Sequence, residues 1–202
     1  MMIARLAAAA LLTAISVAHA DDANRDAAVQ RVVHVCASCH GEAGHSTKAS
    51  IPNLASQMPL YMTNQLEDFR SQTRAESDIQ AYMWGVSALL DDSMIEGLAE
   101  YYATQTPAPG KVGDARRIAT GRKIYDEGMP ARGVRACGSC HGAHAEGASV
   151  FPRLAGQSAS YVFGQLNVFG TRLRPHGVLM KNETANMSAA EMRAVAEYVQ
   201  SL

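Results

Sequence analysis

Every cysteine of this chain falls in one of two five-residue runs, Cys36-Ala37-Ser38-Cys39-His40 and Cys137-Gly138-Ser139-Cys140-His141. A Cys-x-x-Cys-His run reads as a c-type haem attachment site. The two thiols add across the two vinyl groups of one porphyrin, and two intervening residues set the sulfur spacing that the vinyls need. The adjacent histidine is placed to give an imidazole nitrogen to the iron. Three other chemistries compete for these cysteines. A thioredoxin-like pair expects a βαβ pattern, which the sequence does not show. Disulfides or a four-cysteine zinc site would leave His40 and His141 unexplained. Two runs in matching contexts therefore predict two covalent haem c groups, one on Cys36 and Cys39 and one on Cys137 and Cys140, with His40 and His141 as axial ligands.

The second axial ligand should recur at one register in both halves. At an offset of 97, Met83 falls on Met180, and each precedes by seven residues an apolar residue at the mouth of the next helix, Leu90 and Met187. Met58, Met62 and Met94 have no methionine partner in the second half, nor Met129, Met187 and Met192 in the first. Methionine is ordinarily core filler, so it is the matched register that selects Met83 and Met180. His176, four residues before Met180, is the rival ligand; His34, His45 and His144 read as loop or helix-surface residues. Trp84, beside Met83, is suited to hydrogen-bond a haem propionate or to pack over the haem edge. A thioether ligand favours ferrous iron and raises the potential. With both axial positions filled by protein, no site stays open for oxygen, peroxide or substrate. The expectation is single-electron transfer, not enzymatic bond chemistry.

Two repeated halves must position these groups. Pro52-Asn53-Leu54-Ala55-Ser56-Gln57, then Tyr61, Gln65, Leu66 and Phe69, answers Pro152-Arg153-Leu154-Ala155-Gly156-Gln157, then Tyr161, Gln165, Leu166 and Phe169, at an offset of 100. Leu98-Ala99-Glu100-Tyr101 answers Val195-Ala196-Glu197-Tyr198 at an offset of 97. Internal repetition of this kind marks two units. Thr106-Pro107-Ala108-Pro109-Gly110 reads as the linker, because proline and glycine cannot continue a helix. Ala28, Val29, Val32 and Val33 form a helix face leading into the first motif, and Tyr61, Gln65, Leu66 and Phe69 share one side of another helix. Ser188 and Glu191 form a capping box that opens the last helix; its counterpart starts near Asp91 or Asp92. The expected fold is all-α, with each half a few helices wrapped around its haem. The predicted divisions are a signal peptide over 1–20, domains over 21–105 and 114–202, and a linker over 106–113.

The leader rests on Arg5, an apolar stretch over 6–17 and the Ala18-His19-Ala20 cleavage signal. Retention as an uncleaved anchor is the other reading of that segment. No other stretch has the roughly 18 apolar residues of a spanning helix. The address is periplasmic, where c-type haems are attached in bacteria. Net charge hides an asymmetry. Residues 21–108 hold 12 acidic and 5 basic residues, and residues 109–202 hold 7 and 12, for formal charges of −7 and +5. A dipole of this kind can orient docking to charged redox proteins. The basic half carries no nucleic-acid motif.

These motifs together resemble the cytochrome c4 family. The likeness rests on two Cys-x-x-Cys-His-Gly runs, each followed by Pro-x-Leu-Ala-x-Gln, Tyr-x-x-x-Gln-Leu, a methionine and a terminal helix, and it covers nearly all of the mature chain. The resemblance implies tandem class I c-type domains with His40/Met83 and His141/Met180 as axial pairs. It also implies that the Pro52 and Pro152 carbonyls hold the imidazole N–H groups. The implied partners are a quinol-oxidising complex as donor and a terminal oxidase as acceptor. The alternative is a dihaem subunit of a periplasmic dehydrogenase, such as flavocytochrome c sulfide dehydrogenase; association with a membrane complex is compatible with both. A dihaem peroxidase or thiosulfate dehydrogenase would need an open haem position. The second half carries the glycine-then-aromatic pair, Gly121 and Tyr125, that packs a first helix on a terminal one. The first half lacks it, has a longer polar stretch over 70–80, and has Ser56-Gln57 in place of Gly-Gln.

Overall fold

A computed structural model describes residues 25–75 and 80–202; the expected leader lies outside the described residues. Helix α1, residues 25–40, runs through both cysteines of the first motif and ends at His40. Gly41 at φ 77° turns the chain away, a conformation that glycine adopts without strain. The first half continues with α2 (Pro59–Arg70), α3 (Gln80–Ser87) and α4 (Asp92–Ala103), and α2 packs on both α3 and α4. The second half has α5 (Ala115–Glu127), α6 (Gly138–His141), α7 (Ala159–Val168), α8 (Val178–Thr184) and α9 (Ala189–Gln200). Here α9 takes α5 on one side and α7 on the other. Among the described residues only isolated bridges occur, Met129 with Val134 and Ala148 with Phe151, and no strand.

The helix ends follow from their capping residues. Asp91 accepts from the Met94 N–H at 2.8 Å to open α4, and Asp114 accepts from Arg117 at 2.9 Å to open α5. Ser188 and Glu191 form the expected capping box of α9, which satisfies two otherwise orphaned donors. Pro59 starts α2, where its missing N–H costs nothing.

Each half has its own core. In the first, Val29 and Val33 of α1 meet Met62, Ile95, Leu98 and Tyr102. In the second, Ile124 and Tyr125 of α5 meet Val162, Leu166, Val195 and Val199. In the second half a Cβ on Gly121 would collide with the Ala194 carbonyl, so α5 and α9 cross backbone to backbone. The first half has this device reversed. The glycine there is Gly97 on α4, and the methyl of Val29 on α1 would lie 2.6 Å from a Cβ at that site. The missing glycine of the first half has changed helices.

Candidate haem sites

Helix α1 delivers Cys36 and, about one turn later, the adjacent Cys39 and His40 at its C-terminal end, and α6 delivers Cys140 and His141 directly after Cys137. His40 is buried to 9 % exposure and His141 to 6 %. The His40 Nδ1 lies 2.9 Å from the Pro52 carbonyl oxygen, and the His141 Nδ1 lies 3.0 Å from that of Pro152. A carbonyl can only accept, so Nδ1 carries the proton and Nε2 keeps its lone pair. That is the tautomer in which Nε2 can bind a metal. Both proline carbonyls are thus where the family resemblance put them. Burial lowers the affinity of both imidazoles for a second proton, against a smaller opposing effect of the proline hydrogen bonds. Each imidazole is kept neutral, as a ligand must be.

The loops carrying the prolines are pinned identically. Leu54 N–H donates to the Gly44 carbonyl at 2.8 Å and Leu154 N–H to that of Ala145 at 2.8 Å. Ser56 N–H donates to Tyr102 at 2.8 Å and Gly156 N–H to Val199 at 2.9 Å, which ties each loop to its terminal helix.

None of the four cysteines is joined in a disulfide. Burial pushes the Cys36 thiol up, and that of Cys137 up to about 11. Among the described residues, which include all four cysteines, no three His, Cys, Asp or Glu side chains come together as a metal cluster. The four-cysteine zinc arrangement is therefore absent, and the donor set fits a thioether-linked haem in each half. Tyr102 lies buried beside Cys36. In the second half Tyr125 packs on Gly138 and donates its hydroxyl proton to the Gly142 carbonyl at 2.7 Å.

Met83 lies on α3 and Met180 on α8, both half-buried. At the 97 offset Ser87 matches Thr184, and both are buried at the ends of these helices. Charged side chains fasten helix α8 and the turn that follows it. Glu183 accepts from the Arg135 backbone N–H at 2.9 Å and from its Nε at 2.7 Å, and Arg132 bonds the Asn186 carbonyl and Glu191. Residue 86, the match of Glu183, is valine.

The Trp84 indole N–H donates to the Arg74 carbonyl at 2.8 Å. A backbone acceptor ten residues back in the chain satisfies it locally. His176, the rival to Met180, pairs through Nδ1 with Asp68 of the first half at 2.6 Å. His45 is half-buried and bonds the Thr106 carbonyl at 2.7 Å.

Sequence reasoning missed the seam between the halves. Gln57 and Gln157 each bond the backbone of the opposite half, at Arg153 and Asn53. Arg74 bonds Gln65 and reaches across to the Tyr161 hydroxyl at 3.0 Å. Arg174 bonds Gln165 and reaches across to Gln65 at 2.6 Å. The two guanidinium groups stack on Phe69 and Phe169, at 4.4 and 4.5 Å from the ring centres. A signal was present: Arg74 and Arg174 obey the same offset of 100 as the glutamines and phenylalanines around them.

Two helical domains, each pairing spaced thiols with a buried, carbonyl-anchored histidine, define a tandem c-type cytochrome. A cytochrome c family model matches residues 27–105 and again 118–202. Cytochrome c4 of Thiocapsa roseopersicina is 40% identical over 174 residues, covering 83% of this chain and 87% of that protein. A thiosulfate dehydrogenase electron acceptor of Stutzerimonas stutzeri is 36% identical over 170 residues, covering 81% of this chain and 76% of that protein. The solved structure of cytochrome c4 from Acidithiobacillus ferrooxidans superposes with a TM-score of 0.77 at 36% identity, covering 83% of this chain and 98% of that one. The chain belongs to the cytochrome c4 family. It is a dihaem electron-transfer cytochrome with two haem c groups.

Proposed function

We propose that this cytochrome is a periplasmic carrier passing single electrons between respiratory complexes. In this reading the domains span 21–105 and 114–202. Cys36 and Cys39 hold one haem with His40 and Met83 as axial ligands, and Cys137 and Cys140 hold the other with His141 and Met180. The carrying observation is the doubled site: each half buries a histidine with Nδ1 on a proline carbonyl, directly after its two cysteines. Bound haem supplies a one-electron ferric–ferrous couple. The protein's part is to fill both axial positions, so that no exchangeable ligand enters, and to bias the couple toward the reduced form through the thioethers. Keeping the same ligands in both oxidation states holds reorganisation down. Among the described residues no helix is long and apolar enough to cross a membrane. The donor and acceptor this reading supplies are a quinol-oxidising complex and a terminal oxidase.

One observation favours a second reading. A relative bears the name thiosulfate dehydrogenase electron acceptor, which supports service as the acceptor or subunit of a periplasmic dehydrogenase. Stoichiometric co-purification with such an enzyme would select it. The ligand assignment is tested by the far-red sulfur-to-iron charge-transfer band of the oxidised protein. The band is expected from both haems, with one haem's share lost in Met83→Ala and the other's in Met180→Ala. A wild-type haem that lacks the band or is high-spin refutes the assignment at that site and brings an enzymatic role forward.

A further inference from the structure

Each axial histidine rests on a peptide group of its own half, and that peptide is gripped by a glutamine of the other half. The Pro52 carbonyl that accepts from His40 belongs to the same peptide unit as the Asn53 N–H. That N–H donates to the Gln157 Oε1 at 2.9 Å, and the Gln157 Nε2 donates back to the Asn53 carbonyl at 2.9 Å. The arrangement is mirrored in the other half. The Pro152 carbonyl accepts from His141, the Arg153 N–H of the same peptide donates to the Gln57 Oε1 at 2.8 Å, and the Gln57 Nε2 donates to the Arg153 carbonyl at 3.1 Å.

These contacts are built, not incidental. Gln57 and Gln157 are 7 % and 6 % exposed, so water competes poorly for their bonds. Each amide oxygen also accepts the next backbone N–H of its own loop, Met58 at 2.9 Å and Ser158 at 3.0 Å. A backbone N–H can only donate and a carbonyl only accept, so the amide orientation is fixed by its partners.

The peptide unit is conjugated. A hydrogen bond given by its N–H shifts electron density onto its carbonyl oxygen, and bonds in such a chain strengthen one another by about 10–30% each. A stronger acceptor at Pro52 draws more on the His40 Nδ1–H, which makes Nε2 the better donor. Partners of this kind tune the basicity of a ligating histidine, and a better donor stabilises ferric over ferrous iron.

We propose that Gln157 is a positioning residue for the haem site of the first half, and Gln57 for that of the second. Each half sets the donor strength of the other half's axial histidine across the seam. This inference rests on the reading of His40 and His141 as iron ligands. It assigns the glutamines a role beyond holding the domains together.

The experiment uses the full holoprotein with Gln57→Met and Gln157→Met, which keep side-chain length and remove both cross-seam hydrogen bonds together with the bond from the next N–H of the same loop. Potentials of the two haems are read by a redox titration in paramagnetic NMR, with haem methyl signals assigned through contacts to each domain. In Gln157→Met the haem on Cys36 and Cys39 should become easier to reduce. The expected shift is on the order of tenfold in its reduced-to-oxidised ratio, the low end of what losing an outer partner of a ligating histidine costs, or about 59 mV for one electron. The haem on Cys137 and Cys140 should keep its wild-type value. Gln57→Met should give the reverse pattern, and the Nδ1–H resonance of the affected histidine should move with it. Gln→Asn at the same sites keeps the seam polar but withdraws the amide by one methylene. It must give the same crossed pattern, which guards against a methionine variant that folds poorly. Shifts confined to the substituted half, equal shifts in both haems, or no shift would each overturn the relay while leaving the carrier reading intact. A wild-type protein without histidine ligation would overturn both.

Discussion

Ser56 and Gly156 occupy the same turn of the two loops, at φ 57° and 73°, directly before the glutamines that cross the seam. For serine this left-handed conformation costs about 1 kcal/mol; for glycine it is free of that penalty. The turn in the second half needs its glycine for another reason, because a Cβ would collide with the Ala108 carbonyl of the linker. Ser56→Gly should therefore stabilise the first half by about 0.5 kcal/mol, after glycine's extra chain entropy is set against the relieved strain. Gly156→Ser should cost the second half about 2 kcal/mol or more. Thermal unfolding of the holoprotein checks both, and equal tolerance at the two positions would refute the argument. At this scale the sequence was most legible where chemistry demands contiguity. The cysteines and histidines had to be neighbours, and the prolines sat in a repeated string. Gln57, Gln157, Arg74 and Arg174 repeat just as clearly, but a repeat reveals that positions match without revealing that each touches the other copy.

Helices were legible as elements but not in how they cross. The caps at Asp91 and Ser188 and the apolar face of Val29 and Val33 lie where periodicity put them. The close crossing of the first half escaped a search for glycine on its first helix, because that glycine lies on α4. Matching by offset was no help. Residues 128–137 separate α5 from the second motif's helix, whereas α1 runs straight through the first. The crossing makes a prediction that a double-mutant cycle can settle. Gly97→Ala alone drives a Cβ to within 2.6 Å of the Val29 methyl and should destabilise the first half by about 1–3 kcal/mol. Val29→Ala removes that methyl, so the double variant should lose clearly less than the two single losses added together, a coupling on the order of 1 kcal/mol. Strict additivity in chemical denaturation would mean that the helices do not meet there. Gly121→Ala offers no such relief, since the obstacle is the Ala194 backbone rather than a side chain.

The seam holds the halves in one orientation through backbone bonds, the Arg74 and Arg174 reach-across contacts and the His176–Asp68 pair. Among the described residues this gives the charge asymmetry a fixed direction in the molecule, −3 over residues 25–75 and 80–108 (8 acidic, 5 basic) and +5 over 109–202 (7 acidic, 12 basic). Two freely tumbling domains would average such a dipole; a joined pair presents it to an approaching partner. Donor and acceptor should then meet different ends. Arg116, Lys123, Arg172 and Lys181 are all exposed on the basic half. Changing the four to Gln lowers that half's formal charge from +5 to +1 and replaces no proposed haem ligand and none of the seam side chains named above; because Lys181 adjoins Met180, the far-red band is checked in the variant. Stopped-flow electron transfer at low ionic strength should slow with one partner by roughly tenfold and hold with the other. The difference should fade near 0.15 M salt, where the screening length falls to about 8 Å. Equal slowing with both partners would mean that they share one docking surface, and that the opposite charges of the halves do not sort them.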